Sequence, residues 1–263
     1  MANQSFKIPK NIKKLNKKKE RRNILLLDQK TPFAITEAYK TARTNIIFSL
    51  NDQTGKSITM TSCWPLEGKT TTCVNLAITF AETGSRVLLI DADLRKPRIA
   101  KIFKIQSENG LSNVLKGFCP FEDAVQKSGY ANLDILTSGH IPPNPAELLS
   151  SGEMRGLLEK LSGQYDYIFI DTPPVNLITD AAVISNLTSG TILVVREEQS
   201  DHRSIESALE KLKFANANLL GFMLNDVSRK KGGSYGYRYW YGYRKKYKNY
   251  DYAEYIYEND DDL

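Results

Sequence analysis

Six nearly continuous apolar runs recur between residues 31 and 228 of this 263-residue chain, at 57–63, 86–92, 133–139, 165–171, 190–196 and 219–227. Runs of this length without polar alternation suit strands buried on both faces of a parallel sheet. Between them, residues 70–83, 145–162, 180–188 and 201–214 carry helical patterns, and a further helix from Thr36 to Leu50 precedes the first strand. Strand–helix alternation predicts βαβ units. The expected fold is therefore α/β: a doubly wound, mostly parallel sheet with helices on both faces. Three regions follow: a basic, disordered arm over 1–30, one α/β domain over 31–228, and a flexible tyrosine-rich tail over 229–263.

Charge separates these regions. Residues 1–22 hold nine Lys/Arg and one Glu, and 229–263 hold eight Lys/Arg against six Asp/Glu. Those ends carry +8 and +2, so the overall +6 leaves −4 on the body. A mildly acidic body argues against a nucleic-acid-binding core, whereas the arm suits an anionic membrane surface or an acidic partner. No apolar run approaches the ~18 residues of a membrane span, and Ile24–Leu27 is too short for a signal-peptide core. Cys63, Cys73 and Cys119 are scattered without disulfide or metal spacing, which fits a reducing cytosol.

The segment TSCWPLEGKTTTCVNLA (61–77) joins the first strand to a helix. Gly68-Lys69-Thr70 matches the end of a P-loop NTPase phosphate loop, although Cys63 stands where the strict pattern has its first glycine. Backbone amides around Glu67, Gly68, Lys69, Thr70 and Thr71 are placed to cradle the phosphates of ATP. Lys69 would reach the β- and γ-phosphates, and the Thr70 hydroxyl would bind Mg²⁺. Leu66 sits where such loops often carry glycine, which matters if the backbone there needs φ > 0.

Two acidic motifs complete the set. VLLIDADLRKP (87–97) ends a strand with Asp91 and Asp93, on the same side of an extended chain. YDYIFIDTPP (165–174) ends another with Asp171. Carboxylates at strand ends beside a phosphate loop can hold Mg²⁺ or accept a proton from an attacking hydroxyl. The chain has no H-R-D or D-F-G signature, which excludes a eukaryotic-type protein kinase. His140 and His202 are isolated and read as exposed or capping residues.

With these residues in order and spacing, the chain resembles the bacterial tyrosine kinases of capsular and exopolysaccharide synthesis. It is similar to the cytoplasmic form whose membrane activator is a separate polypeptide. The resemblance also rests on GLSNVLKG (110–117), SGHIPPNPAELLSS (138–151) and the C-terminal tyrosines. It implies Asp91 as the base that activates a tyrosine hydroxyl, Asp93 and Asp171 as Mg²⁺ ligands with Thr70, and Arg95 as a phosphate contact. It further implies that Glu37, Lys40 and Arg43 form an oligomerisation motif for a homo-oligomeric ring, with lysine where the family has arginine. The implied partners are a transmembrane activator of the polysaccharide co-polymerase type, which would recruit the cytoplasmic chain to the inner membrane face, and a cognate phosphatase.

The tail then reads as substrate. Ten of fourteen tyrosines fall within 23 residues: Tyr235, Tyr237, Tyr239, Tyr241, Tyr243, Tyr247, Tyr250, Tyr252, Tyr255 and Tyr257. Each phosphotyrosine adds about −1.5 to −2 charges, so two or three reverse the tail's sign. From Asp226 to Tyr257 a flexible chain spans roughly 30 Å, enough to enter a neighbouring subunit's site. Two other classes compete. A MinD/ParA-like regulatory ATPase shares the fold, but its signature lysine position is Trp64 here. A single-stranded nucleic-acid binder could use the interleaved Tyr and Arg of the tail; no nucleic-acid partner is expected.

Overall fold

The computed structural model describes residues 26–50 and 56–227. The tyrosine cluster and the basic residues Lys7–Arg22 lie outside the described residues.

Strands β1 (Lys56–Ser62), β2 (Val87–Asp91), β3 (Val125–Lys127), β4 (Leu133–Leu136), β5 (Tyr167–Asp171), β6 (Gly190–Arg196) and β7 (Leu219–Asn225) form one sheet. Their order is β3-β4-β2-β5-β1-β6-β7. Every pairing is parallel except β3 against β4. β2 and β5 are buried at every position except Tyr167, as their uninterrupted apolar runs require. β1 lies centrally between β5 and β6. The chain therefore runs outward from β1 to one edge, returns through β5, and then crosses to the other side. Such reversals leave a crevice beyond the strands' carboxyl ends, and ligands of open α/β sheets bind there.

The helices are α1 (Phe33–Leu50), α2 (Lys69–Ala81), α3 (Ile99–Phe103), α4 (Leu111–Leu115), α5 (Phe121–Ala124), α6 (Pro145–Leu149), α7 (Gly152–Ser162), α8 (Asp180–Ser185) and α9 (His202–Phe214). α2 is buried along nearly its whole length. Its Phe80 ring sits 4.5 Å from Tyr167 and 5.1 Å from Phe169 of β5, in tilted and edge-on contacts. α9 is amphipathic: Ser204, Ala208 and Leu212 turn inward at four-residue spacing. Its first turn is closed by Asp201, whose carboxylate accepts from the Ser204 N–H at 2.8 Å. Packing also begins upstream of α1, because Leu27 is buried and donates its N–H to Asn75 of α2 at 3.0 Å.

The departures from the expected elements have local causes. The helix expected over 145–162 is two, because Ser151 stops one and caps the next by accepting from the Met154 N–H at 3.3 Å. The third apolar run ends as a strand at Leu136. Beyond it, Thr137 and Ser138 turn their carbonyls to the N–H groups of Leu111 and Ser112. GLSNVLKG and SGH, far apart in sequence, thus form one knot, tightened where Ser112 Oγ donates to the His140 carbonyl at 2.6 Å. β3 and the short helices α3 to α5 are too brief to show a period. Among the described residues no helix is long and apolar enough to cross a membrane.

Phe80 joins the central helix to β5. Phe80→Ala should lower unfolding free energy by about 3–5 kcal/mol, read from urea denaturation followed by far-UV circular dichroism.

Candidate functional site

β1 delivers the chain to the crevice, and the loop Cys63–Gly68 turns it into α2. Two residues of that loop have left-handed backbones: Leu66 at φ 70° and Gly68 at φ 92°. The backbone condition under which a leucine there matters, a positive φ, is therefore met. At Gly68 glycine is also needed for space, since a Cβ would run into the Asn225 side-chain amide at the end of β7.

The β2–β5 register places Asp91 directly beside Asp171. α2 begins opposite them, and its first residue, Lys69, puts its ammonium among the acids. Lys69 Nζ lies 3.3 Å from Asp93 Oδ2 and 3.3 Å from both oxygens of Asp171. It is also 3.3 Å from Thr70 Oγ1, which donates to Asp171 Oδ2 at 2.7 Å. Lys69, Thr70, Asp91, Asp93 and Asp171, drawn from three separate motifs, thus meet in one buried cluster.

One cation faces three carboxylates. Burial alone would lower the pKa of Lys69, but Asp171, Asp93 and Asp91 together lift it, so the ammonium stays charged. Burial and then the Asp171 charge push Asp91 up to about 7, against backbone N–H groups that favour its ionised form. Asp171 is likewise raised by burial, with Lys69 and Thr70 opposing. The two aspartates of the β2 motif are held differently. Asp91 accepts from the N–H groups of Asp93, Arg98 and Ile99 at 3.2, 3.0 and 2.9 Å, which ties the strand end to α3. Asp93 accepts from the Lys96 N–H at 3.0 Å with one oxygen and turns the other to Lys69.

The remaining candidates lie apart from this cluster. Arg95 forms a bidentate pair with the buried Asp180 of α8, Nε to Oδ2 at 2.8 Å and Nη2 to Oδ1 at 3.1 Å. Glu67 is buried and turns inward: it accepts from the Trp64 N–H at 2.9 Å and from Ser200 Oγ at 2.6 Å. Only its backbone borders the crevice. Trp64 packs against α9, with Nε1 donating to Ser204 Oγ at 2.7 Å. In α1, Glu37 and Lys40 pair with each other at 2.9 Å, while Arg43 donates to the Thr79 carbonyl at the end of α2 at 2.6 Å. His140 is exposed, and His202 opens α9 beside Glu206, 3.2 Å away. Asp180, Gln199, Ser200 and Asn225 were not foreseen. The one available signal was Asn225, a polar side chain closing an apolar strand at the crevice edge.

Known proteins resemble this chain in sequence and in fold. Residues 56–219 match the family model described as AAA domain. A tyrosine-protein kinase of Bacillus subtilis (strain 168), YwqD, is 44% identical over 202 residues, covering 77% of this chain and 85% of the relative. The chain belongs to the bacterial tyrosine kinases. The putative tyrosine-protein kinase CapB of Staphylococcus aureus is 35% identical over 223 residues, 85% of this chain and 98% of that one. The solved kinase domain of the Escherichia coli tyrosine kinase ETK superposes with a TM-score of 0.72 at 33% identity, covering 75% of this chain and 78% of that structure.

Gly68→Ala should destabilise the protein by about 1–3 kcal/mol, the usual cost of a non-glycine residue held in a sparse backbone region. Because the new Cβ meets Asn225, Gly68→Ala combined with Asn225→Ala should lose less than the sum of the singles. A double-mutant cycle of urea midpoints checks this.

Proposed function

We propose that the chain is an ATP- and Mg²⁺-dependent protein-tyrosine kinase that phosphorylates its own tyrosine tail, one subunit acting on the next, in control of capsular or exopolysaccharide synthesis. The observation that carries this reading is the buried meeting of Lys69, Thr70, Asp91, Asp93 and Asp171 at the carboxyl ends of the strands. Membership of the tyrosine kinases supports the tyrosine acceptor.

The donor set fits Mg-ATP. Mg²⁺ prefers oxygen ligands and usually binds through one or two carboxylates, leaving most of the rest to phosphates and water. Thr70, Asp93 and Asp171 offer such oxygens within the cluster. When bound, the ion would offset charge on the phosphates. Lys69 would move from its carboxylates to the β- and γ-phosphates, and loop amides from Glu67 to Thr71 would orient them.

Transfer then needs a tyrosine hydroxyl in line with the γ-phosphorus. Its oxygen forms the new P–O bond, the bond to the β–γ bridging oxygen breaks, and the phenolic proton passes to a carboxylate. Asp91, lifted to about 7, is in the range useful to a base at neutral pH. Three of its four acceptor positions are taken by backbone N–H groups, two on Oδ2 and one on Oδ1, so a proton would be received at the remaining position on Oδ1. Arg95, anchored to Asp180, would meet a phosphate only from the face that this pair leaves open.

For assembly, Glu37 and Lys40 side chains are 42% and 44% exposed and could exchange their mutual pair for one across a subunit boundary. The basic arm supports recruitment to an anionic inner membrane face beside a transmembrane activator. A phosphatase would reset the tail.

Incubation of the full chain with Mg-ATP and the activator's cytoplasmic segment should produce phosphotyrosine confined to Tyr235–Tyr257, mapped by mass spectrometry. Lys69→Met and chelation by EDTA should each reduce it to background. ATP hydrolysis without phosphotyrosine would instead point to a MinD-like regulatory ATPase.

A further inference from the structure

Three side chains donate to three successive carbonyls of the phosphate loop. Gln199 Nε2 reaches the Pro65 carbonyl at 3.0 Å, Arg196 Nη1 the Leu66 carbonyl at 2.9 Å, and Asn225 Nδ2 the Glu67 carbonyl at 2.9 Å. Arg196 and Asn225 end β6 and β7 and Gln199 follows β6, all some 130 to 160 residues downstream of the loop. They are held together themselves. The Glu197 N–H donates to the Asn225 carbonyl at 3.1 Å, and the Arg196 N–H donates to Ser200 Oγ at 2.8 Å. Ser200 in turn donates to the buried Glu67 carboxylate.

A trans peptide points its C=O and the next N–H in opposite directions, and no cis bond occurs among the described residues. Holding the carbonyls of 65, 66 and 67 on the donor side therefore turns the N–H groups of Leu66, Glu67 and Gly68 the other way. A run of amides presented to one side is the arrangement that binds anionic phosphate. The loop needs outside help to keep it, because Leu66 sits at φ 70°, which a leucine leaves readily. Cys63 replaces a further glycine.

We propose that Gln199, Arg196 and Asn225 are positioning residues that hold the loop's amides in the phosphate-binding arrangement, standing in for the glycine that Leu66 replaces. They act through the loop backbone. The proposal rests on the nucleotide-binding reading above and goes beyond it in assigning residues outside every recognised motif.

The neutral pair gives the cleaner test, because removing Arg196 would also remove a charge near phosphate. Mg-ADP binding to the full chain would be measured by calorimetry for Gln199→Ala, for Asn225→Ala and for the pair combined, each with and without Leu66→Gly. Each single loss should weaken binding about fivefold, the equivalent of one neutral hydrogen bond. Leu66→Gly should recover about that much where the brace is cut and change little where it is intact, since glycine holds positive φ unaided. In the phosphorylation assay the same variants should raise KM for ATP and leave kcat near the starting value. Unchanged Mg-ADP affinity in both single variants, or an equal effect of Leu66→Gly in every background, would overturn the brace while leaving the nucleotide site standing. Absence of Mg-ADP binding by the unsubstituted chain would overturn both. Gln199→Ala changes only a loop side chain, so it decides the matter should the combined variant fail to fold.

Discussion

The Lys69 ammonium is the counter-charge that lets this sheet end in carboxylates. Asp171 is 1% exposed, Asp91 0% and Asp93 7%. Three buried acids in one crevice would repel each other and take up protons if nothing positive lay among them. The ammonium 3.3 Å from Asp93 and Asp171 offsets that repulsion, and Thr70 adds a neutral donor at 2.7 Å. The geometry of the crevice follows from this demand. α2 must start where the strands end, and β2 and β5 must pair in register to bring their aspartates together.

The same arrangement explains why the cluster is built for exchange. A lysine engaged with two carboxylates makes weak, long contacts with each, and its three distances to the oxygens of Asp93 and Asp171 are at the long end of a hydrogen bond. A polyphosphate with a divalent cation presents the same two signs in the opposite order: anion for the lysine, cation for the acids. Binding such a ligand replaces one set of ion pairs by another without leaving any charge buried alone. The crevice on its own thus holds more carboxylate than cation, which favours a ligand that brings a divalent cation together with its phosphates.

Much of this was legible in the sequence. Apolar runs gave the parallel strands because strands buried on both faces need no alternation. Asp91, Asp93 and Asp171 stood out because each ends such a run, where the chain leaves the core. What stayed hidden depends on contacts between distant residues. β3 is three residues long and exists only because β4 offers it an edge. Ser151 splits a helix by a cap that composition does not distinguish from a helical serine. Glu67, adjacent to the glycine of the motif, suggested a phosphate contact through its backbone amide. What the sequence did not announce is that its side chain closes the loop from within, bonded to Ser200 and the Trp64 N–H. Arg95 suggested a phosphate contact, and nothing near it in sequence announces that the buried Asp180 is its partner.

The loop illustrates how a degenerate motif is repaired by the fold around it. A sequence pattern records only one way of obtaining a nest of amides, namely glycines that accept the backbone angles without cost. Hydrogen bonds to the outward carbonyls are another way, and they leave no local trace. Gln199 and Asn225 reach the loop because β6 lies beside β1 and β7 beside β6, and because Glu197 ties the ends of β6 and β7 together. On the proposed brace, the departures at Cys63 and Leu66 need not weaken the site. They mark a loop whose conformation is specified from outside its own sequence, by side chains some 130 to 160 residues away.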